Sequence, residues 1–175
     1  AHAELGDKLV VKSMRDGYDG KGQWRPVADQ AHDIPVEAFG GLIAEAMVPF
    51  SREVSLVGAR FATCEFYFFP LTENYHHEGI LRYSLGPAPE TEALQGQAQQ
   101  MLSKIMEHFD YLGVMAMECF QTEQGLIVNE LAPRVHNSGH WTQAGSDYSQ
   151  FDLHLSALTG AAVPHQPKSF PVTIM

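Results

Sequence analysis

Apolar and polar positions along this chain group into short runs of four to nine residues, the length of strands, broken twice by longer helical periods. Lys8–Lys12, Leu42–Val48, Val54–Ala62, Cys64–Leu71 and Ile80–Leu85 all read as strands, the third and fourth joined tightly at Thr63. Gln23–Val27 reads as a returning strand that Pro26 confines to an edge or an end. Ala28–Phe39 reads as a helical connection interrupted by Pro35. After Pro87 and Pro89, the proline-free stretch Glu90–Phe109 places Leu94, Ala98, Met101, Leu102, Ile105, Met106 and Phe109 at helical spacing. Its methionines read as packing against a sheet. Ser149–Thr159 predicts a second helix, closed by Gly160 as its C-terminal cap. Strands in antiparallel neighbours with helices between the groups define an α+β class.

Two further apolar runs, Val114–Phe120 and Gly125–Leu131, flank the short polar linker Gln121–Gly125 and predict a β-hairpin. Each carries one carboxylate among apolar neighbours, Glu118 in the first and Glu130 in the second. Antiparallel pairing brings these two close on adjacent strands. Two carboxylates so placed repel unless a positive charge lies between them. A hard divalent cation such as Mg²⁺ suits them, because it takes oxygen ligands and shares them with phosphates.

Composition narrows the class without naming a chemistry. The 175 residues suffice for one domain or a large part of a bigger protein. With 45% hydrophobic and 18% charged residues the chain is of folded rather than disordered type. A net charge of −10 and the lack of a basic stripe argue against nucleic acid and acidic membranes as partners. No apolar run approaches the roughly 18 residues of a membrane span, and no signal peptide opens the chain. Cys64 and Cys119 each sit in an apolar segment and read as buried, reduced thiols of a cytoplasmic protein. The strand-like run Val172–Met175 at the end suggests a piece of a longer protein.

Four other stretches could carry chemistry. Between Lys12 and Gln23, Gly17, Gly20 and Gly22 permit sharp turns and close backbone approach to a ligand, and amides of such a loop can cradle phosphate. Neither a Walker loop nor a Rossmann fingerprint is present, and a plain hairpin turn remains open. In the stretch from Glu45 to Val48 followed by Glu53, a strand end could pair with an adenine edge and a carboxylate could take ribose hydroxyls; a solvated edge glutamate remains the alternative. The adjacent His76 and His77 would face opposite sides of one strand, which excludes them as joint ligands of one metal, and no Cys/His cluster has zinc spacing. Arg134, His136, Asn137 and Ser138 crowd hydrogen-bonding groups behind Pro133, where Arg134 could clamp an anion with two parallel bonds; a helix-capping loop of solvated polar groups is the alternative. Taken together, these stretches describe one ATP site better than each describes anything alone.

The order of lysine, glycine loop, hinge strand with glutamate, and then a metal glutamate and Asn-Glu pair resembles the ATP-grasp superfamily. Within it, the runs GYDGKGQW, EVSLVGAR, GVMAMECF and NELAPRVHNSGHWT resemble the 5-(carboxyamino)imidazole ribonucleotide synthases over nearly the whole chain. The resemblance implies an ATP-grasp domain of mostly antiparallel sheets with flanking helices, lacking the family's N- and C-terminal domains. Residues 1–47 would be the remainder of the small subdomain with its flap, and 48–175 the large subdomain with the metal hairpin. It implies that Lys12 contacts ATP phosphate and that Gly17, Tyr18, Asp19, Gly20, Lys21, Gly22 and Gln23 form the flap, with Asp19 on the substrate side. Glu45, Ala46, Met47 and Val48 would form the adenine hinge, Glu53 the ribose ligand, and His76 would lie against the nucleotide. Glu118 and Glu130 would bind Mg²⁺, or Mn²⁺ in its place, with Asn129 assisting, and Arg134 and His136 would hold bicarbonate, carboxyphosphate or the substrate phosphate. Asp16 departs from the family, whose members usually carry a glycine there.

The implied reaction is ATP- and bicarbonate-dependent carboxylation of 5-aminoimidazole ribonucleotide in purine synthesis, through carboxyphosphate, with positioning and electrostatics supplying most of the catalysis. Family members are often dimeric, which keeps a homodimer open. Two rival expectations stand beside it. One is another ATP-grasp carboxylate–amine ligase, and the other is a nucleotide-binding fragment that is catalytically incomplete.

Overall fold

The computed structural model describes residues 8–14, 22–26, 34, 40–163, 165–171 and 173–175. The helical connection expected over 28–39 falls outside them except for Ile34. Internal contacts divide the chain into two units, residues 1–49 with 76–80, and residues 50–75 with 81–175.

In the first unit, β1 (Leu9–Ser13) is the middle of a three-stranded sheet between β2 (Gln23–Trp24) and β3 (Leu42–Ala46). Both pairings are antiparallel. Alternation puts Leu9 and Val11 on one face of β1, where they form a small core with Ile34, against which Trp24, Leu42 and Ala44 pack. The strand β2 is as short as Pro26 requires. The Ser13 amide donates to the Gly22 carbonyl at 2.7 Å and ties together the two ends of the glycine loop. Gly22 has φ of +77°, a conformation that favours glycine.

A seven-stranded sheet forms the frame of the second unit. Its strands are β4 (Arg52–Arg60), β5 (Phe66–Phe68), β6 (Thr72–His77), β7 (Ile80–Gly86), β8 (Gly113–Thr122), β9 (Gly125–Ala132) and β10 (Thr173–Ile174). They are ordered β10-β7-β6-β4-β8-β9, with β5 also on β4. Strands β6 and β7 run into residues 76–80. The antiparallel β4–β8 pair forms the centre and runs from Arg52 opposite Gln121 to Arg60 opposite Gly113.

Each face of this pair carries its own core. On one face, Val54 and Leu56 of β4 and Met115, Met117 and Cys119 of β8 pack under α1 (Glu92–His108) through Ala98, Leu102 and Met106. These are the helix's fully buried positions, at i, i+4 and i+8. On the other face, Val57, Ala59, Val114 and Ala116 pack under Trp141 and under α3 (Gln150–Thr159) through Leu153 and Ala157. Burying each large aliphatic side chain contributes about 1.5–3 kcal/mol, so each helix is held to the sheet by its apolar stripe. Helix α3 opens with a capping box between Ser149 and Asp152 and closes at Gly160 with φ of +73°. A short helix, α2 (Thr142–Gly145), precedes it.

Two expectations need correction. Cys64 is exposed, not buried. The apolar run around it is broken by a tight turn in which the Cys64 amide donates to Phe61 O and the Phe61 amide to Glu65 O, so that β5 begins only at Phe66. Secondly, β6 is a strand that apolar patterning does not mark, because its sequence is Thr-Glu-Asn-Tyr-His-His. Its two buried residues are polar, and each is hydrogen-bonded. Thr72 accepts from Trp141 Nε1 at 2.9 Å, while Asn74 donates to Ser55 Oγ and accepts from Ser84 Oγ, each at 2.9 Å. Buried polar groups paired in this way cost little, whereas unpaired ones would cost about 1–3 kcal/mol each.

Candidate active site

The β8–β9 hairpin is where the chemistry gathers. From its two-residue turn, the ladder pairs Thr122 with Gly125, Phe120 with Ile127 and Cys119 with Val128. A regular ladder continued from there would set Glu118 against Asn129 and turn Glu130 to the opposite face with Met117. Instead a bulge between Glu118 and Cys119 takes up Asn129 as the extra residue and sets Glu118 directly opposite Glu130. Cross-strand partners lie about 4.5–5.5 Å apart at Cα, so both carboxylates stand side by side on one face.

That face is the continuation of the second core. Along β8 the row Val114, Ala116, Glu118, Phe120 passes from apolar to acidic within one strand. Along β4 the matching row Ala59, Val57, Ser55, Glu53 does the same, with Ser55 opposite Glu118 and Glu53 opposite Phe120. Trp141 and α3 cover the apolar half. The polar half therefore forms a floor of Glu53, Ser55, Glu118 and Glu130.

The segment after β9 folds back towards this floor. His136 Nε2 lies 3.7 Å from Glu118 Oε1, and both side chains are largely buried, at 11% and 14% exposure. The Ser138 amide donates to His136 Nδ1 at 3.3 Å, and the Ser138 hydroxyl lies 2.9 Å from the same nitrogen. An amide can only donate, so Nδ1 is the acceptor and Nε2 carries the proton that faces Glu118. Gln150, fully buried, holds the backbone beneath the ring. Its Oε1 accepts from the His136 amide at 2.9 Å and its Nε2 donates to the His136 carbonyl at 2.7 Å. The same Nε2 lies 3.1 Å from His140 Nδ1. Residue 139 must be glycine for this approach, since a Cβ there would lie 2.4 Å from Gln150 Oε1. Arg134 is exposed, and its Nη1 donates to the Val135 carbonyl at 3.0 Å.

In the first unit, Lys12 Nζ lies 2.7 Å from Glu45 Oε2 across the β1–β3 pair. Such partly exposed pairs contribute about 0–1 kcal/mol. Ala46 ends β3, and the Met47 amide donates to the Lys8 carbonyl at 3.0 Å, with Val48 next in the chain. Gln23 is paired opposite Lys12 in β2, and Gly22 closes the loop. Gly17, Tyr18, Asp19, Gly20 and Lys21 lie outside the described residues, as does Asp16. On β6, exposure alternates along Asn74, Tyr75, His76 and His77, which places the two histidines on opposite sides.

Among the described residues no cluster of three or more His, Cys, Asp and Glu side chains could hold a metal ion. The Glu118–Glu130 pair nonetheless suits Mg²⁺, which is commonly held by one or two carboxylates and completed by phosphates and water. Burial pushes the Cys119 thiol up to about 12, with the charge of neighbouring Glu118 adding to it, so this sulfur beside the site is a core group and not a nucleophile.

Sequence reasoning missed Gln150 and the polar set Ser55, Asn74 and Ser84. The glutamine opens a helix directly after a capping serine, where a polar residue is ordinary. Only its burial sets it apart.

An ATP-grasp domain model matches residues 1–151. The chain belongs to the ATP-grasp family. Within that family it is similar to the N5-carboxyaminoimidazole ribonucleotide synthases. It is 53% identical over 160 residues to the Escherichia coli K12 synthase, an alignment covering 91% of this chain and 45% of that protein. The Staphylococcus aureus N5-carboxyaminoimidazole synthetase, crystallised with ADP, superposes with a TM-score of 0.87 at 34% identity, over 99% of this chain and 47% of that one. The Aspergillus clavatus synthase, crystallised with ADP and 5-aminoimidazole ribonucleotide, superposes at 0.85 and 30% identity, over 99% and 46%. The chain thus spans a little under half the length of these relatives.

Proposed function

We propose that this chain supplies the ATP- and metal-binding part of an enzyme that carboxylates 5-aminoimidazole ribonucleotide at its amine, using ATP and bicarbonate, in purine synthesis. The observation that carries the proposal is the bulged register that sets Glu118 against Glu130 with the His136 Nε2 proton beside Glu118. Support comes from the relatives, which are named for this activity and were crystallised with ADP and with the ribonucleotide.

In this reading Glu118 and Glu130 hold Mg²⁺, with Asn129 assisting, and the ion when bound neutralises charge on the transferring phosphoryl group. Lys12 and the flap from Gly17 to Gln23 hold the phosphates, and Asp19 faces the substrate amine. Glu45 to Val48 receive the adenine, Glu53 the ribose, and His76 packs against the nucleotide. Arg134 and His136 orient bicarbonate and the anion formed from it. Closure of the glycine flap excludes water from an intermediate that hydrolyses readily. Two free cysteines suit a reducing cytoplasm.

The test is ADP release by the intact protein with ATP, Mg²⁺ and bicarbonate, with and without the ribonucleotide. Release that depends on the ribonucleotide and yields its N-carboxy derivative is expected. Ligation of a different acid–amine pair in its absence would overturn the substrate assignment. Because the chain spans less than half of its relatives, a second reading is that it binds nucleotide but cannot turn over alone. Comparing ATP turnover by the isolated chain with that by the intact protein separates the two.

A further inference from the structure

We infer that Gln150 is a positioning residue for the reaction, acting through His136. The inference rests on the role given to His136 above.

A carboxamide that bridges the N–H and C=O of one residue imitates a neighbouring β-strand. Gln150 does this to His136 with both bonds short, at 2.9 and 2.7 Å, from a fully buried position. The pattern also settles which end of the amide is which, since Oε1 must face the backbone N–H and Nε2 the carbonyl. The second proton of Nε2 then points to His140 Nδ1, which lies 3.1 Å away. His140 in turn stacks on Phe151 with ring centroids 5.7 Å apart. Gln150 is itself anchored, its amide donating to Thr142 Oγ1 at 3.0 Å while that hydroxyl donates to Gly139 O at 2.6 Å.

Every polar atom of this side chain is therefore spent on the loop that carries His136. The imidazole has no covalent tie to Glu118. Its 3.7 Å approach and the direction of its Nε2 proton depend on the backbone below it and on the Ser138 amide beside it. Releasing that backbone would let the ring drift, and misplacement by about 1 Å can cost on the order of 100-fold in rate. A buried glutamine spent on bare stability would be replaceable by a residue of like shape. One that aims a ring would not be.

The test is a double-mutant cycle on the intact protein. Gln150→Met keeps the shape and removes both bonds. It is expected to lower kcat about 100-fold while the KM for ATP changes less than about threefold, since among the described residues the Gln150 side chain bonds to His136 and His140. In a His136→Ala background the same change is expected to cost less than about threefold further. Equal losses in both backgrounds would show a general structural effect and overturn the inference, as would wild-type kcat in Gln150→Met. Should Gln150→Met fail to fold, Gly139→Ala displaces the same amide with the glutamine still present, because its Cβ would lie 2.4 Å from Gln150 Oε1. The same kcat-selective loss, absent in the His136→Ala background, is expected.

A readout independent of turnover is the His136 tautomer, observed by nitrogen NMR at one fixed pH. The Nε2–H form is expected in the wild type and a mixture in Gln150→Met. An unchanged tautomer and ring shift would overturn the inference. Failure of the wild type to act on the ribonucleotide, with the tautomer change intact, would instead overturn only the substrate reading.

Discussion

The two faces of β8 offer a comparison within one strand. Met115, Met117 and Cys119 point under α1 and are apolar from end to end. Val114 and Ala116 point the other way under α3, but the next residue on that side is Glu118. Both faces rest on the same backbone ladder and the same central pairing with β4. They differ in how far the covering helix reaches. Where it covers, the residues are hydrophobic and fully buried; where Trp141 and α3 leave off, the sheet becomes an acidic floor. The rigid core and one carboxylate of the candidate site are thus built from alternate residues of one strand, which anchors Glu118 on the same backbone as the core methionines.

The largest effect expected on the α1 face is on stability alone. Leu102→Ala should cost about 2–5 kcal/mol in denaturant unfolding while leaving Mg²⁺-ATP affinity of the folded protein unchanged. Weakened nucleotide binding in the folded variant would mean that the two faces are not independent. On the other face the expectation reverses. Glu130→Gln should weaken Mg²⁺-ATP binding at least tenfold, about 1.4 kcal/mol by titration, and shift unfolding by no more than about 0.5 kcal/mol because the side chain is exposed.

Cys119 tests the boundary between the faces at a smaller scale. Its thiol is raised from an ordinary value of 9.0 to about 12 by burial, with Glu118 adding to the shift. The native state therefore holds this proton more tightly than the unfolded state. The resulting stability is fully present below pH 9 and is lost as pH rises towards 12. Cys119→Ala should flatten that alkaline loss. A thiol reagent at pH 8 should label exposed Cys64 promptly and Cys119 only on unfolding; rapid double labelling would contradict the packing of β8.

The finest distinction concerns the bulge. Deleting Asn129 lets a regular ladder run from Val128 to Glu130 with Glu118 still opposite Glu130. The deletion should therefore bind Mg²⁺-ATP within about twofold of Asn129→Ala. A much weaker deletion would show that the bulge itself shapes the site, beyond absorbing one residue.

Much of this was legible beforehand. Helix α1 was expected at 90–109 and runs from Glu92 to His108, because its apolar stripe repeats with the helical period over four turns. Helix α3 was marked at both ends by Ser149 and Gly160, each with a local conformational reason. The hairpin was marked by its polar linker. By contrast, β6 escaped because its inward Thr72 and Asn74 are polar, and their burial is affordable only with Trp141, Ser55 and Ser84 as partners from distant parts of the chain. Cys64 was misplaced because an apolar neighbourhood does not reveal a turn whose hydrogen bonds close around it.

The residue types of the site belong to the sequence. Two glutamates among apolar neighbours, a glycine loop after a lysine, and an Arg-x-His run declare their chemistry through charge, flexibility and spacing, which are local properties. Register and burial are not local. A strict count from the turn would have sent Glu118 and Glu130 to opposite faces, and only the bulge at Asn129 unites them. Nor does anything within the run from Ser149 to Asp152 distinguish Gln150 from a solvated helix residue. Its role follows from a backbone brought against it from fourteen residues earlier, and such a contact is decided only once α3 packs on the sheet.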